Sequence, residues 1–234
     1  MTNTLNSPTL GFQTFQRMDG GSPTAGATPV WVASTDAGTI FRGDLVVTSS
    51  GGGTNNSGAY ITSINNGPNV TSTGVMVRGV FQGCYQYQPG ASRVVWSNYY
   101  NGVVTGSTMD IKAYVVDDPD ELFIVQASTK GTVTSSMIGL NIGPTFNSTS
   151  GNTTTGYSNV TVESTSVTSS NTQPLRIVDF YAAYAPGIAG FGNVNANSSI
   201  ASPLVNGTDN SNPANIIVVR LNNCDRLNLT ARSS

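Results

Sequence analysis

The chain has 234 residues, 38% of them hydrophobic, and only 9% carry charge, for a formal net charge of −2. An average soluble domain is about a quarter charged, and disorder goes with high charge and few β-branched or aromatic residues; Val, Ile, Tyr and Phe spread along this chain predict one large folded domain. The only lysines are Lys112 and Lys130, so no basic stripe exists to neutralise a phosphate backbone, and no run approaches the ~20 apolar residues of a membrane span, which excludes nucleic acid and membrane as expected partners.

Residues 1–11 lack the basic start and apolar run of a signal peptide, so synthesis in a cytoplasm is expected. Residues 1–27 are rich in Thr, Ser, Gly and Pro around Leu10, Phe12 and Phe15, which predicts an extended N-terminal arm suited to docking on a neighbour. The main domain is expected over 28–234. Short β-branched runs between turn residues follow, at 29–34, 39–48, 74–82, 93–97, 110–116, 121–127, 134–141, 158–168, 174–181 and 215–221, with a weaker run at 225–230. None repeats apolar residues at i, i+3 and i+4 over twelve residues, so helix is minor.

Several runs alternate with period two. Ile111, Ala113 and Val115 share one face while Lys112 and Tyr114 share the other, and Val160 and Val162 oppose Thr161 and Glu163. Runs 122–125 and 216–219 are apolar on both faces and are expected between layers or against a partner. Polar stretches at 49–58, 65–74, 143–156 and 185–214 read as long loops, and compact domains seldom keep such loops without a use. The predicted fold is all-β: an antiparallel β-sandwich of jelly-roll type.

The chain has no histidine. That removes the Ser-His-Asp and Cys-His arrangements, His-ligated zinc and the two-His-one-carboxylate iron site, and neither lysine sits in a Gly-Lys-Ser/Thr phosphate loop. No enzyme, no cofactor and no resident metal are expected. Asp117, Asp118, Asp120 and Glu121 surround Pro119 and could hold Ca²⁺ through oxygen, but they lack the alternating ligands and glycine of a calcium loop and read better as a solvated turn. Cys84 and Cys224 stand far apart, which favours two buried free thiols over a disulfide. Asn-x-Ser/Thr triplets at Asn69, Asn147, Asn159 and Asn228 follow from composition. Tyr85, Tyr87, Trp96, Tyr99 and Tyr100 fall close together, and three readings stay open for them: cross-strand packing, a protein interface, and a sugar-stacking surface.

Four segments recur in an order that resembles a family of tailed-bacteriophage head proteins, the decoration or cement proteins. They are Thr39-Ile40-Phe41-Arg42-Gly43-Asp44-Leu45-Val46; Arg78-Gly79-Val80-Phe81-Gln82-Gly83-Cys84-Tyr85; Val115-Val116-Asp117-Asp118-Pro119 running into Leu122-Phe123-Ile124-Val125-Gln126; and Ile138-Gly139-Leu140-Asn141. Pro174-Leu175-Arg176-Ile177-Val178 is a looser echo. The resemblance implies an antiparallel β domain that sits on the outer capsid surface of the virion, self-associates as a homotrimer or homodimer, and bridges neighbouring copies of the major capsid protein. It implies no catalytic residue. Leu10, Phe12, Phe15, Tyr85, Tyr87, Tyr99 and Tyr100 are the expected capsid or subunit contacts. The rival reading is a phage tail fibre or receptor-binding module that recognises a surface glycan through the tyrosine-rich region.

Overall fold

The computed structural model of the chain describes residues 11–23, 26–49, 58–64, 75–88, 93–102, 109–128, 131–145, 151–181 and 216–227. Two main antiparallel sheets carry the fold. The first runs in the order β1 (Gln13–Arg17), β10 (Glu121–Gln126), β16 (Ile216–Leu221), β15 (Leu175–Phe180), β11 (Asn141–Pro144) and β14 (Val162–Thr168). The second runs β2 (Thr28–Val32), β9 (Ile111–Val116), β6 (Gly79–Gln88), β4 (Leu45–Thr48) and β5 (Ile61–Ser63), with β7 (Arg93–Ser97) hairpinned onto β6. Two ribbons, β3 (Thr39–Phe41) with β8 (Tyr99–Asn101) and β12 (Gly151–Asn152) with β13 (Tyr157–Ser158), complete it. Every ladder is antiparallel, and the pairs β1·β10, β2·β9 and β3·β8 nest one inside the next, which is the connectivity of a rolled antiparallel ribbon.

Alternation along the strands divides the apolar side chains between two cores. Leu45 and Val47 of β4, Val80 of β6 and Val116 of β9 face the first sheet and pack with Phe123, Val125, Leu175, Ile177, Ile217 and Val219. Their sequence neighbours Val46, Phe81 and Val115 point the opposite way and, with Val30, Val32 and Ala113, pack under Ile40 and Tyr100 of the β3·β8 ribbon. The second sheet is thus covered on both faces over part of its length. As expected for runs apolar on both faces, Leu122 and Val218 are buried although they alternate away from the main core.

Local chemistry sets the boundaries. The run 39–48 divides into β3 and β4 because Gly43 takes φ 93° and the Asp44 carboxylate accepts the Phe41 amide at 2.8 Å, closing a tight turn. Ser158 donates its hydroxyl to the same buried carboxylate at 2.5 Å, fastening β13 to that turn. The run 134–141 is not a strand: Ser135–Met137 is a single 3₁₀ turn in which Met137 donates to the Thr134 carbonyl at 2.9 Å, and pairing starts only at Asn141. Its serines offer local hydrogen bonds that compete with a ladder. Residues 225–227 form a turn, so the run at 225–230 is no strand over its described part. The stretch 143–156 contains β12 and the end of β11.

The N-terminal region differs most from expectation. Phe12 is 1% exposed in the main core and β1 pairs with β10, so residues 12–17 belong to the sandwich, with β1 as an edge strand, and are not part of a free arm. Leu10 lies outside the described residues.

Candidate functional site

The residues singled out by sequence fall into three environments. Phe12 and Tyr100 are core: Tyr100 donates its hydroxyl to the Asp36 carbonyl at 2.7 Å, and burial raises its pKa above the ordinary phenolic range. Tyr99 stacks on Phe41 with centroids 5.5 Å apart, and Phe15 packs edge-on against Tyr181 at 5.4 Å; both are half-buried. Tyr87 is half-buried too, while Tyr85 and Trp96 are exposed on a sheet face.

A bulge creates that face. Register between β6 and β9 shifts between Phe81 and Gly83, so Phe81 and Cys84 both point into the core under the ribbon. Gly83 and Tyr85 point to the opposite side, the side that the first sheet covers further along at Val80 and Val116. Beyond the bulge that cover ends. Cross-strand pairing then sets Trp96, Tyr85, Lys112 and Trp31 in one row across β7, β6, β9 and β2. Tyr114 lies beside the row.

Three rings in this region pack against one another: Tyr85 with Trp96 at 5.3 Å, Tyr85 with Tyr114 at 6.0 Å, and Trp96 with Tyr114 at 5.7 Å, all inclined rather than parallel. Such pairs are each worth about 0.5–1.5 kcal/mol beyond their buried area, so the cluster is a stiff platform. Gly83 permits it. Its φ is +145°, and a Cβ there would stand 2.4 Å from the Trp96 ring. Lys112 places its ammonium 5.8 Å from the centre of the Tyr114 ring, which holds a cation at the edge of the platform. Trp96 stays 48% exposed, Tyr85 43% and Val94 56%. Sequence analysis singled out Tyr85 and Trp96 but not Val94, Tyr114 and Lys112 as their neighbours. The signal was present in the alternation of Lys112 and Tyr114 opposite Ala113, yet the register that joins them to Tyr85 depends on an irregularity no pattern marks.

The acidic segment is a turn, but not the solvated one expected, since Asp117 and Glu121 are buried. Glu121 donates its amide to the Asp118 carbonyl at 3.2 Å, and Asp120 donates to the Asp118 carboxylate at 3.0 Å. Asp118 is paired with Arg17 at 2.9 Å. Asp117 is buried between Arg78 at 2.9 Å and Arg226 at 3.1 Å, and it accepts the Thr28 hydroxyl at 2.8 Å. These carboxylates tie β1, β2 and the chain after β16 to the β9–β10 turn. Among the described residues no group of three or more Asp, Glu or Cys side chains is placed to hold a metal ion. Cys84 and Cys224 are free and buried, and burial pushes the Cys84 thiol up to about 12, far from the range of a reactive thiolate.

Comparison of the chain with protein-family models, with curated proteins and with solved structures finds no match.

Proposed function

We propose that the protein is a structural component of a phage head, a decoration protein that binds the outer surface of the capsid shell and bridges neighbouring copies of the major capsid protein. The observation that carries this reading is the open aromatic face of Tyr85, Trp96 and Tyr114 on a sheet whose opposite faces are covered by the two cores over part of its length. A rigid apolar platform with a polar surround is the composition of a protein interface, where Tyr and Trp dominate binding energy. A shell is loaded from within by packed genome, and a clamp resists by adding buried area across subunit joints. With so few charges, such contacts depend little on salt.

The test is occupancy on heads purified without the protein. Adding it back should place hundreds of copies per particle and raise the temperature at which heads release genome, and Tyr85→Ser should lower occupancy without unfolding the protein. A few tens of copies or fewer, located at the tail, would instead favour the glycan-binding reading, which the same platform supports because sugar rings stack on exposed indole and phenol faces.

A further inference from the structure

Sheet edges expose unpaired backbone donors and acceptors, and folded proteins blunt them with bulges, proline, shortness or cover. The edges described here follow that rule with one exception. In the first sheet, β1 is bulged between Thr14 and Gln16, and β14 meets β11 through a register shift while the chain at Ala127 and Ser128 bridges its first residue, Ser128 donating to the Val162 carbonyl at 2.8 Å. In the second sheet, β2 contains Pro29 and donates its Trp31 amide to Ala59 at 2.9 Å, and β5 is three residues long.

β7 has none of these protections. It pairs with β6 in unbroken register from Cys84↔Ser97 to Gln88↔Arg93, its sequence is Arg-Val-Val-Trp-Ser, and no described strand lies on its other side. Val94 and Trp96 are among the most exposed large apolar side chains of the described residues.

We infer that β7 pairs antiparallel with β7 of a second copy, about a two-fold axis through Val95. The sequence is self-complementary in that register. Val94 of each copy stands opposite Trp96 of the other, an aromatic against a β-branched side chain, which is a favourable cross-strand pair. Arg93 stands opposite Ser97, and the two Arg93 side chains lie about 13 Å apart along the ladder, so no like charges meet. The row Tyr85–Trp96 continues into Val94 and Tyr87 of the second copy, making the two open faces one wider platform. Two five-residue edges bury less than the ~800 Å² per partner of a standard stable interface, so the dimer is weak in dilute solution and populated where copies are crowded on a surface. The pairing rests on the edge and not on capsid binding, since it leaves the platform open.

The test uses the full chain. Val95→Cys puts two thiols opposite each other at the axis, within reach of a disulfide after small adjustment, while Val94→Cys puts each thiol opposite a Trp96 ring. Under mild oxidation Val95→Cys should form covalent dimer at least ~10-fold faster than Val94→Cys, and a mixture of Val94→Cys with Trp96→Cys should cross-link faster than either alone. The buried Cys84 and Cys224 stay silent. Sedimentation of the unmodified protein should show a monomer–dimer equilibrium at high concentration. Equal cross-linking at 94 and 95, or a monomer at every concentration, would overturn the pairing. Head occupancy of the same variants separates this result from capsid binding: loss of pairing with full occupancy refutes the dimer alone.

Discussion

Three buried protons govern how the protein responds to alkali. Cys84, Cys224 and Tyr100 all have pKa values raised, with burial the leading cause in each. The unfolded chain releases thiol protons near 9.0 while the folded chain keeps them, so the unfolded state binds fewer protons above that pH and stability falls. The stabilisation is complete below pH 9.0 and declines as pH rises towards about 12. Urea midpoints followed from pH ~7 to ~10.5 should therefore drop, and Cys84→Ala should lessen the slope. A flat profile would contradict the burial of these groups. Sequence anticipated two buried free thiols from their separation alone. It did not separate Tyr100 from Tyr85, because tyrosines of one aromatic-rich stretch carry the same composition signal and only the pairing of β8 with β3 turns Tyr100 inward.

At the scale of elements, β1 tests whether the N-terminal region belongs to the fold. Phe12 is buried among Leu45, Val80 and Phe123 in the main core, and its removal leaves a large cavity. Phe12→Ala is expected to cost about 3–5 kcal/mol in urea unfolding, whereas an appended arm would give a value near zero. For the same reason, deleting residues 1–27 removes β1 and one core aromatic, so it reports on folding and not on docking. The runs that became β7, β9, β10, β15 and β16 were legible within a residue or two, because β-branched residues between turn formers carry a local signal. β5 and β8 are three residues long and β12 and β13 two, and such segments are fixed by tertiary pairing rather than by their own composition. The open platform was half legible: its aromatic content stands in the sequence, but the bulge at Gln82 that aims Tyr85 beside Tyr114 does not.

For the whole molecule, scarcity of charge has a measurable effect. The described ion pairs all gather near the β9–β10 turn, on Arg17, Arg78 and Arg226, and one of their carboxylates, Asp117, is buried where salt screens little. Exposed pairs are worth about 0–1 kcal/mol each. Unfolding free energy should change by less than ~1 kcal/mol between about 0.05 and 0.5 M sodium chloride, measured by urea denaturation; a larger loss would mean that charges hold the sandwich together after all.

The place of β16 has a consequence for how the protein is made. The strand nearest the C-terminus of the described chain lies in the interior of the first sheet, between β10 and β15. A ribosome finishes β10 roughly ninety residues before it delivers β16, a wait of ~5–20 s at ordinary elongation rates. Throughout that interval Leu122 to Val125 have no partner on that side, so the nascent polypeptide cannot close its main core and must be kept from sticking to its neighbours until β16 has emerged.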